Sequence, residues 1–159
     1  EVSRDLRILV RAPVQLSDES IQEFVNQHRS WIQTHWKRQQ AKLENQIVLS
    51  EEQLVLLRAL AEEELPKKVK RFGLQMQLMP EQVRITTAKT RLGSCGSNRH
   101  INFSMYLMLY PEPLIDYVVV HELAHLRYLG HNSSFYSLIA QYIPDYKERL
   151  QQIRKLNLL

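Results

Sequence analysis

At 159 residues, 44% of them apolar and 24% charged, the chain has the length for one domain with a true core and an ordinary globular make-up. A single cysteine excludes an internal disulfide framework and points to a reducing, cytoplasmic compartment, and no apolar run approaches the length of a membrane span. The formal charge of +4 and the pI near 9.3 permit a polyanionic partner without requiring one, and a start on Glu1 rather than Met implies that residues upstream have been removed.

Leu6 to Val10 alternates imperfectly and stops at Pro13, which predicts a short strand at a sheet edge. Ser17 or Asp18 caps a long amphipathic helix carrying Ile21, Phe24, Val25, Trp31, Ile32 and Trp36, with Lys37 to Asn45 as its solvated end or a linker. His28 and His35 lie seven apart beside Trp31, a spacing that suits packing better than ligation. Ser50-Glu51-Glu52-Gln53 matches a capping box and starts a second helix with Leu54, Leu57, Ala61 and Leu65 inward. Pro66 should kink or restart that helix, and Gly73 should end it.

Three extended pieces follow, Gln82 to Thr86, Arg91 to Cys95 and His100 to Ser104, the last two around a turn at Gly96-Ser97-Asn98. Pro111 and Pro113 open a helix from about Glu112 to Leu129, which Gly130 should end in a left-handed turn. Asn132 or Ser133 caps the next helix, with Phe135, Leu138, Ile139 and Tyr142 inward, and Pro144 precedes a last one. Strands and helices mix without strict alternation, so the fold class is α+β. The organisation expected is a single domain over 1–159, with an N-terminal strand and long helix in 1–48 and a catalytic core in 50–159.

The chemistry concentrates in His121-Glu122-Leu123-Ala124-His125. Residues four apart share a helix face, so His121 and His125 can grip one metal ion while Glu122 stands beside it as a general base. This is the pattern of zinc hydrolases. A histidine ten positions after His121 would point away from the site on an unbroken helix, so His131 can be the third ligand only if the helix stops first. Glu148 is the competing third ligand, in a stretch that otherwise reads as a solvated helix face. The metzincin pattern wants glycine where Tyr128 stands and a methionine turn downstream, yet all four methionines precede the site.

Thr90-Arg91-Leu92-Gly93-Ser94-Cys95, His100-Ile101-Asn102-Phe103, the run from Ile115 to Leu126, His131-Asn132-Ser133 with Phe135, Arg11-Ala12-Pro13, Trp31-Ile32 and Pro144 to Lys147 together resemble the YgjP-like zinc metallohydrolases, relatives of the SprT-like and minimal gluzincin-type metallopeptidases. The resemblance spans nearly the whole chain. It implies a compact zincin-like domain, a small sheet with flanking helices around the helix that carries the motif, one Zn2+ held by His121, His125 and His131, and Glu122 as base.

Three neutral imidazoles leave the ion its full charge and an open position, where a water has its pKa lowered to roughly 7. The leading function is then peptide hydrolysis by zinc hydroxide, with an extended polypeptide paired against His100, Ile101 and Asn102 as an edge strand. His100, Tyr117 and Tyr128 are candidate oxyanion partners. A second reading is hydrolysis of a nucleotide phosphoanhydride, which converging arginines such as Arg91, Arg99 and Arg127 would favour. A third is a protease module tethered to DNA, with Lys67, Lys68, Lys70 and Arg71 on phosphates. Cys95 can approach the metal as a thiolate or simply fill space. No membrane partner is expected, and the oligomeric state is open.

Overall fold

The computed structural model describes residues 1–3, 5–44, 47–156 and 158. It divides into two compact units, Glu1–Gln46 and Ile47–Leu159.

In the first unit, helix α1 (Asp18–Gln27) is capped by the Ser17 hydroxyl, which accepts from the Ser20 amide, and is followed by α2 (Arg29–Glu44). The single long helix expected here is broken at His28, whose Nδ1 competes at 2.8 Å for the Phe24 carbonyl. His28 stacks on Phe24 and His35 lies against Trp31, so both serve packing. Part of the stretch from Lys37 is the end of α2, while Asn45 lies outside the described residues. The strand expected over Leu6 to Val10 is absent; among the described residues the region holds only an isolated bridge from Val2 to Ile8, because no further strand pairs with it.

The second unit begins with α3 (Glu51–Met76), opened by the expected capping box between Ser50 and Gln53. Pro66 does not restart this helix. Its missing amide costs a helix about 3 kcal/mol, but Ala61, Leu65, Val69, Phe72 and Met76 bury one continuous face that holds the turn together. Gly73 does not end α3 either. The left-handed residue is Gln77 at φ 55°, and the Leu78 amide returns to the Gly73 carbonyl at 2.9 Å. Gly73 is required for a different reason: a Cβ there would sit 2.6 Å from Met79 Sδ and 2.9 Å from the Leu78 carbonyl oxygen.

Strands β1 (Gln82–Thr86), β2 (Gly93–Cys95) and β3 (His100–Ser104) form one sheet in the order β1-β3-β2. β1 runs parallel to β3 and β2 antiparallel to it, through the expected turn at Gly96 to Arg99. His100 to Ser104 is therefore the centre of the sheet and not an edge, since the hairpin lays β2 on one side and β1 takes the other. Alternation buries Ile101 and Phe103 completely, while Asn102 faces away from that core.

A short 3-10 turn (Met105–Leu109) leads to α4 (Glu112–Ala124), which packs against α3, β2, α5 (Ser133–Tyr142) and α6 (Tyr146–Leu156). Being covered on several sides, α4 is apolar around most of its circumference: Leu114, Val119, Val120 and Leu123 are at most 1% exposed. Each such side chain contributes roughly 1.5–3 kcal/mol. Lys68 of α3 fastens α4 by bonds of 2.7 Å to both Glu112 and Asp116, and Arg71 adds a second bond to Asp116 at 2.8 Å. The α+β class and small sheet match expectation, and no described helix is long and apolar enough to cross a membrane.

Candidate metal centre

The last turn of α4 presents His121, and His125 occupies its C-cap. The helix stops at Ala124 rather than near Leu129. Amides of Leu126, Arg127 and Tyr128 fold back onto the carbonyls of Leu123 and Ala124, and His125 Nδ1 donates to the Tyr128 carbonyl at 2.9 Å. Gly130 takes no part in this stop: its φ is not positive, and nothing lies within 4 Å of the Cβ it lacks. The chain turns on the ligand's own hydrogen bond and then delivers His131 beside the other two. Asn132 caps α5 by accepting from the Phe135 amide at 2.9 Å, which holds the loop end in place.

The three imidazoles converge. His121 Nε2 and His131 Nε2 are 3.1 Å apart, and one ligand atom from each of His121, His125 and His131 lies within 4.8 Å of the others. Nitrogens of tetrahedral zinc, at about 2.0–2.1 Å from the ion, stand roughly 3.3 Å from one another. The set therefore fits a metal with little adjustment. Burial, then the neighbouring His125 and His131, press the His121 pKa down to about 3, and burial lowers that of His125 against the opposing pull of the Tyr128 carbonyl. Both rings are held neutral, the form that ligates. The Tyr128 carbonyl fixes the proton of His125 on Nδ1 and leaves Nε2 free; Tyr117 Oη, 3.4 Å from His121 Nδ1, stands in the same relation to that ring.

Glu122 is 6% exposed and its Oε2 has no hydrogen-bond partner. Burial raises its pKa to about 8, against a smaller pull from Arg91. An orphaned buried carboxylate next to three converging nitrogens is costly unless a cation or a reacting water meets it. β2 creates its slot: a Cβ on Gly93 would lie 2.6 Å from Glu122 Oε1. Phe135, fully buried, touches all three ligand rings with centroid separations of 4.9, 4.6 and 4.8 Å to His121, His125 and His131.

The other candidates fall elsewhere. Glu148 and Cys95 are not in the ligand cluster; Cys95 is half-buried on β2, with its thiol pKa raised by burial first and by Glu122 second. His100 bonds to Asn98 within the turn and Ile101 is core, so of the three residues expected to pair with substrate Asn102 is the one that lines the cavity described below, among the described residues. Tyr117, its pKa pushed up to about 12 by burial, sits behind His121. Arg99 is tied to the Met79 carbonyl while Arg91 lines a cavity beside Gly93, so these two do not converge. The sequence places Gly93 within the family resemblance and Phe135 there and on an inward helix face, but it sets neither against the site, although glycine inside a strand pattern does signal a close approach.

A small sheet laid against a helix whose last turn carries His121 and the buried Glu122, with His125 at its C-cap and His131 returning from the following loop, is an arrangement that could hold a metal as a zincin-type metallohydrolase does. The chain belongs to the YgjP-like family, whose metallopeptidase-domain model matches residues 1–58 and 52–156. It is 47% identical over 79 residues to a UTP pyrophosphatase of Escherichia coli (strain K12), a match covering 48% of this chain and 47% of that protein, so it spans about half the length of this curated relative. Its fold resembles the crystal structure of the metallopeptidase zymogen abylysin of Pyrococcus abyssi, with a TM-score of 0.52 and 22% identity over 57% of this chain and 92% of that one.

Proposed function

We propose that the chain is a zinc-dependent hydrolase, with one ion on His121, His125 and His131 and Glu122 as its general base, acting first on peptide bonds. The observation that carries this is the orphaned Oε2 of Glu122, buried on the same turn as two of three converging imidazoles. Bound on His121, His125 and His131, a zinc ion would supply Lewis acidity and acidify a water at that point. Glu122, poorly solvated and therefore strongly basic, takes the proton from the attacking water and returns it to the leaving group. Gly93 keeps the carboxylate within reach by leaving its slot empty.

Peptide cleavage draws support from the free edge of β2. The Gly96 amide bonds to the His100 carbonyl and the Ser104 amide to the Leu92 carbonyl, so the alternation turns the backbone groups of Gly93 and Cys95 outward, where an extended substrate can pair. Hydrolysis of a nucleotide phosphoanhydride is the second reading, favoured by the name of the E. coli relative and by a cation, Arg91, near Glu122. Contact with nucleic acid finds less support, since Lys67 pairs with Glu63 and Glu64, Lys68 with Glu112 and Asp116, and Arg71 with Asp116.

The test is Glu122→Gln, assayed with metal analysis against an unfolded protein and a nucleotide panel. The variant should keep its metal and lose turnover by about 10²–10⁴-fold; the substrate whose hydrolysis disappears identifies the reading. Undiminished activity on both substrates would overturn the assignment.

A further inference from the structure

The face of the sheet turned away from the core is not featureless. Thr86, Asn102 and Ser94, on three adjacent strands, share it with Ser104, and the segment carrying Ala88, Thr90 and Arg91 closes over them around a cavity of about 260 Å³. Ser104 donates to the Ala88 carbonyl at 2.6 Å and Thr86 donates to the Phe103 carbonyl at 3.3 Å, so these two hydroxyl protons are committed to holding the segment and the sheet. Ser94 Oγ accepts from Asn102 Nδ2, which leaves its own proton free, and no hydrogen bond occupies Thr90 among the described residues. Arg91 is the cation of this cavity, and among the described residues it forms neither an ion pair nor a hydrogen bond.

The cavity and the Glu122 slot share one residue. Gly93 contributes to the cavity wall, and the side chain it lacks leaves the space that Glu122 occupies. Arg91 is also near enough to Glu122 for its charge to be felt there.

We propose that this cavity is an oxyanion subsite, which holds an anionic oxygen group of the substrate on the Arg91 guanidinium with the Thr90 and Ser94 hydroxyls and the Asn102 amide as further donors. A guanidinium without a partner beside free hydroxyls matches phosphoryl and carboxylate oxygens alike. The group is thus either a phosphoryl of a nucleotide or the carboxylate of an acidic peptide. The inference deepens the hydrolase reading, because it names what the substrate must carry, yet it does not depend on turnover.

The test uses the full metal-loaded chain carrying Glu122→Gln, so that nothing is consumed, titrated calorimetrically with pyrophosphate and separately with a glutamate-rich peptide, and repeated after chelation. One of the two probes should bind, more weakly at higher salt, and Arg91→Met in the same background should weaken it about tenfold or more, with Arg91→Lys intermediate and Ser94→Ala a few-fold weaker. Pyrophosphate binding that depends on Arg91 assigns a phosphoryl, and peptide binding that depends on Arg91 assigns a carboxylate. Equal affinity of the Arg91→Met variant for every probe, or no binding of either probe, overturns the subsite. Because Glu122 is already replaced, that failure leaves the role of Glu122 untouched.

Discussion

Gly93 of β2 lies against the carboxylate of Glu122 so closely that its missing Cβ would fall 2.6 Å from Oε1 and 2.7 Å from Cγ. The neighbour is the side chain proposed as the general base, and it has to move if anything larger than hydrogen stands at 93. Gly93→Ala should therefore leave the three histidines and their metal in place while displacing the base. Turnover is expected to fall on the order of 10²-fold, the cost of a misplacement near 1 Å. Metal stoichiometry together with kcat checks this, and full activity in the variant would contradict the close approach.

Buried titratable groups make the metal-free protein sensitive to pH in a defined way. His121, held down to about 3 from 6.5, and His125, lowered in the same direction, contribute stability that is present above about pH 6.5 and lost as pH falls. Glu122, raised from 4.5 to about 8, contributes stability that is present below about pH 4.5 and lost as pH rises. Between pH 6.5 and 8 the histidines shed what remains of their unfolded-state protonation, and the opposite effect of Glu122 outweighs theirs. In chelator, stability should decline across that window by roughly 1 kcal/mol, and Glu122→Gln should abolish the decline. Thermal denaturation at several pH values measures both, and a level wild-type profile would refute the effect of burial.

Phe135 touches every ligand ring from beneath and is fully buried. Phe135→Ala should cost about 3–5 kcal/mol of stability through the cavity it opens. Metal affinity should drop as well, since the imidazoles lose the surface that holds their orientation, whereas Phe135→Leu should retain most of both. Denaturant midpoints and competition with a chelator separate the two effects; an alanine variant with unaltered metal affinity would show that the ring serves the core alone.

Gly130 faces open space at an ordinary φ. Gly130→Ala should change stability by no more than about 0.5 kcal/mol and leave metal content and turnover as they are. A large loss on this substitution would restore the left-handed helix stop that the sequence suggests.

Much of the centre is legible along the chain because its information is local. His121, Glu122 and His125 lie within a single helix turn, so the shared face follows from helix geometry, and the capping box at Ser50 and the Asn132 cap are equally short-range. Gly130 misleads for the same reason: a glycine after an apolar run signals a stop, but the bond from His125 Nδ1 to the Tyr128 carbonyl had already made one. His131 arrives where expected by a different turn.

The residue types and spacings of His121, Glu122, His125 and His131 thus carry the proposed chemistry by themselves, since the proposed ligands and base are side chains near one another in sequence. The tertiary structure alone decides that β3 is central and β2 the edge, that Gly93 makes room for Glu122, and that Arg91 stands unpaired beside it. A strand's alternation is the same whether it is paired on one side or on both. Its place in the sheet depends on segments as far apart as Gln82 and His100, and no local pattern records that pairing.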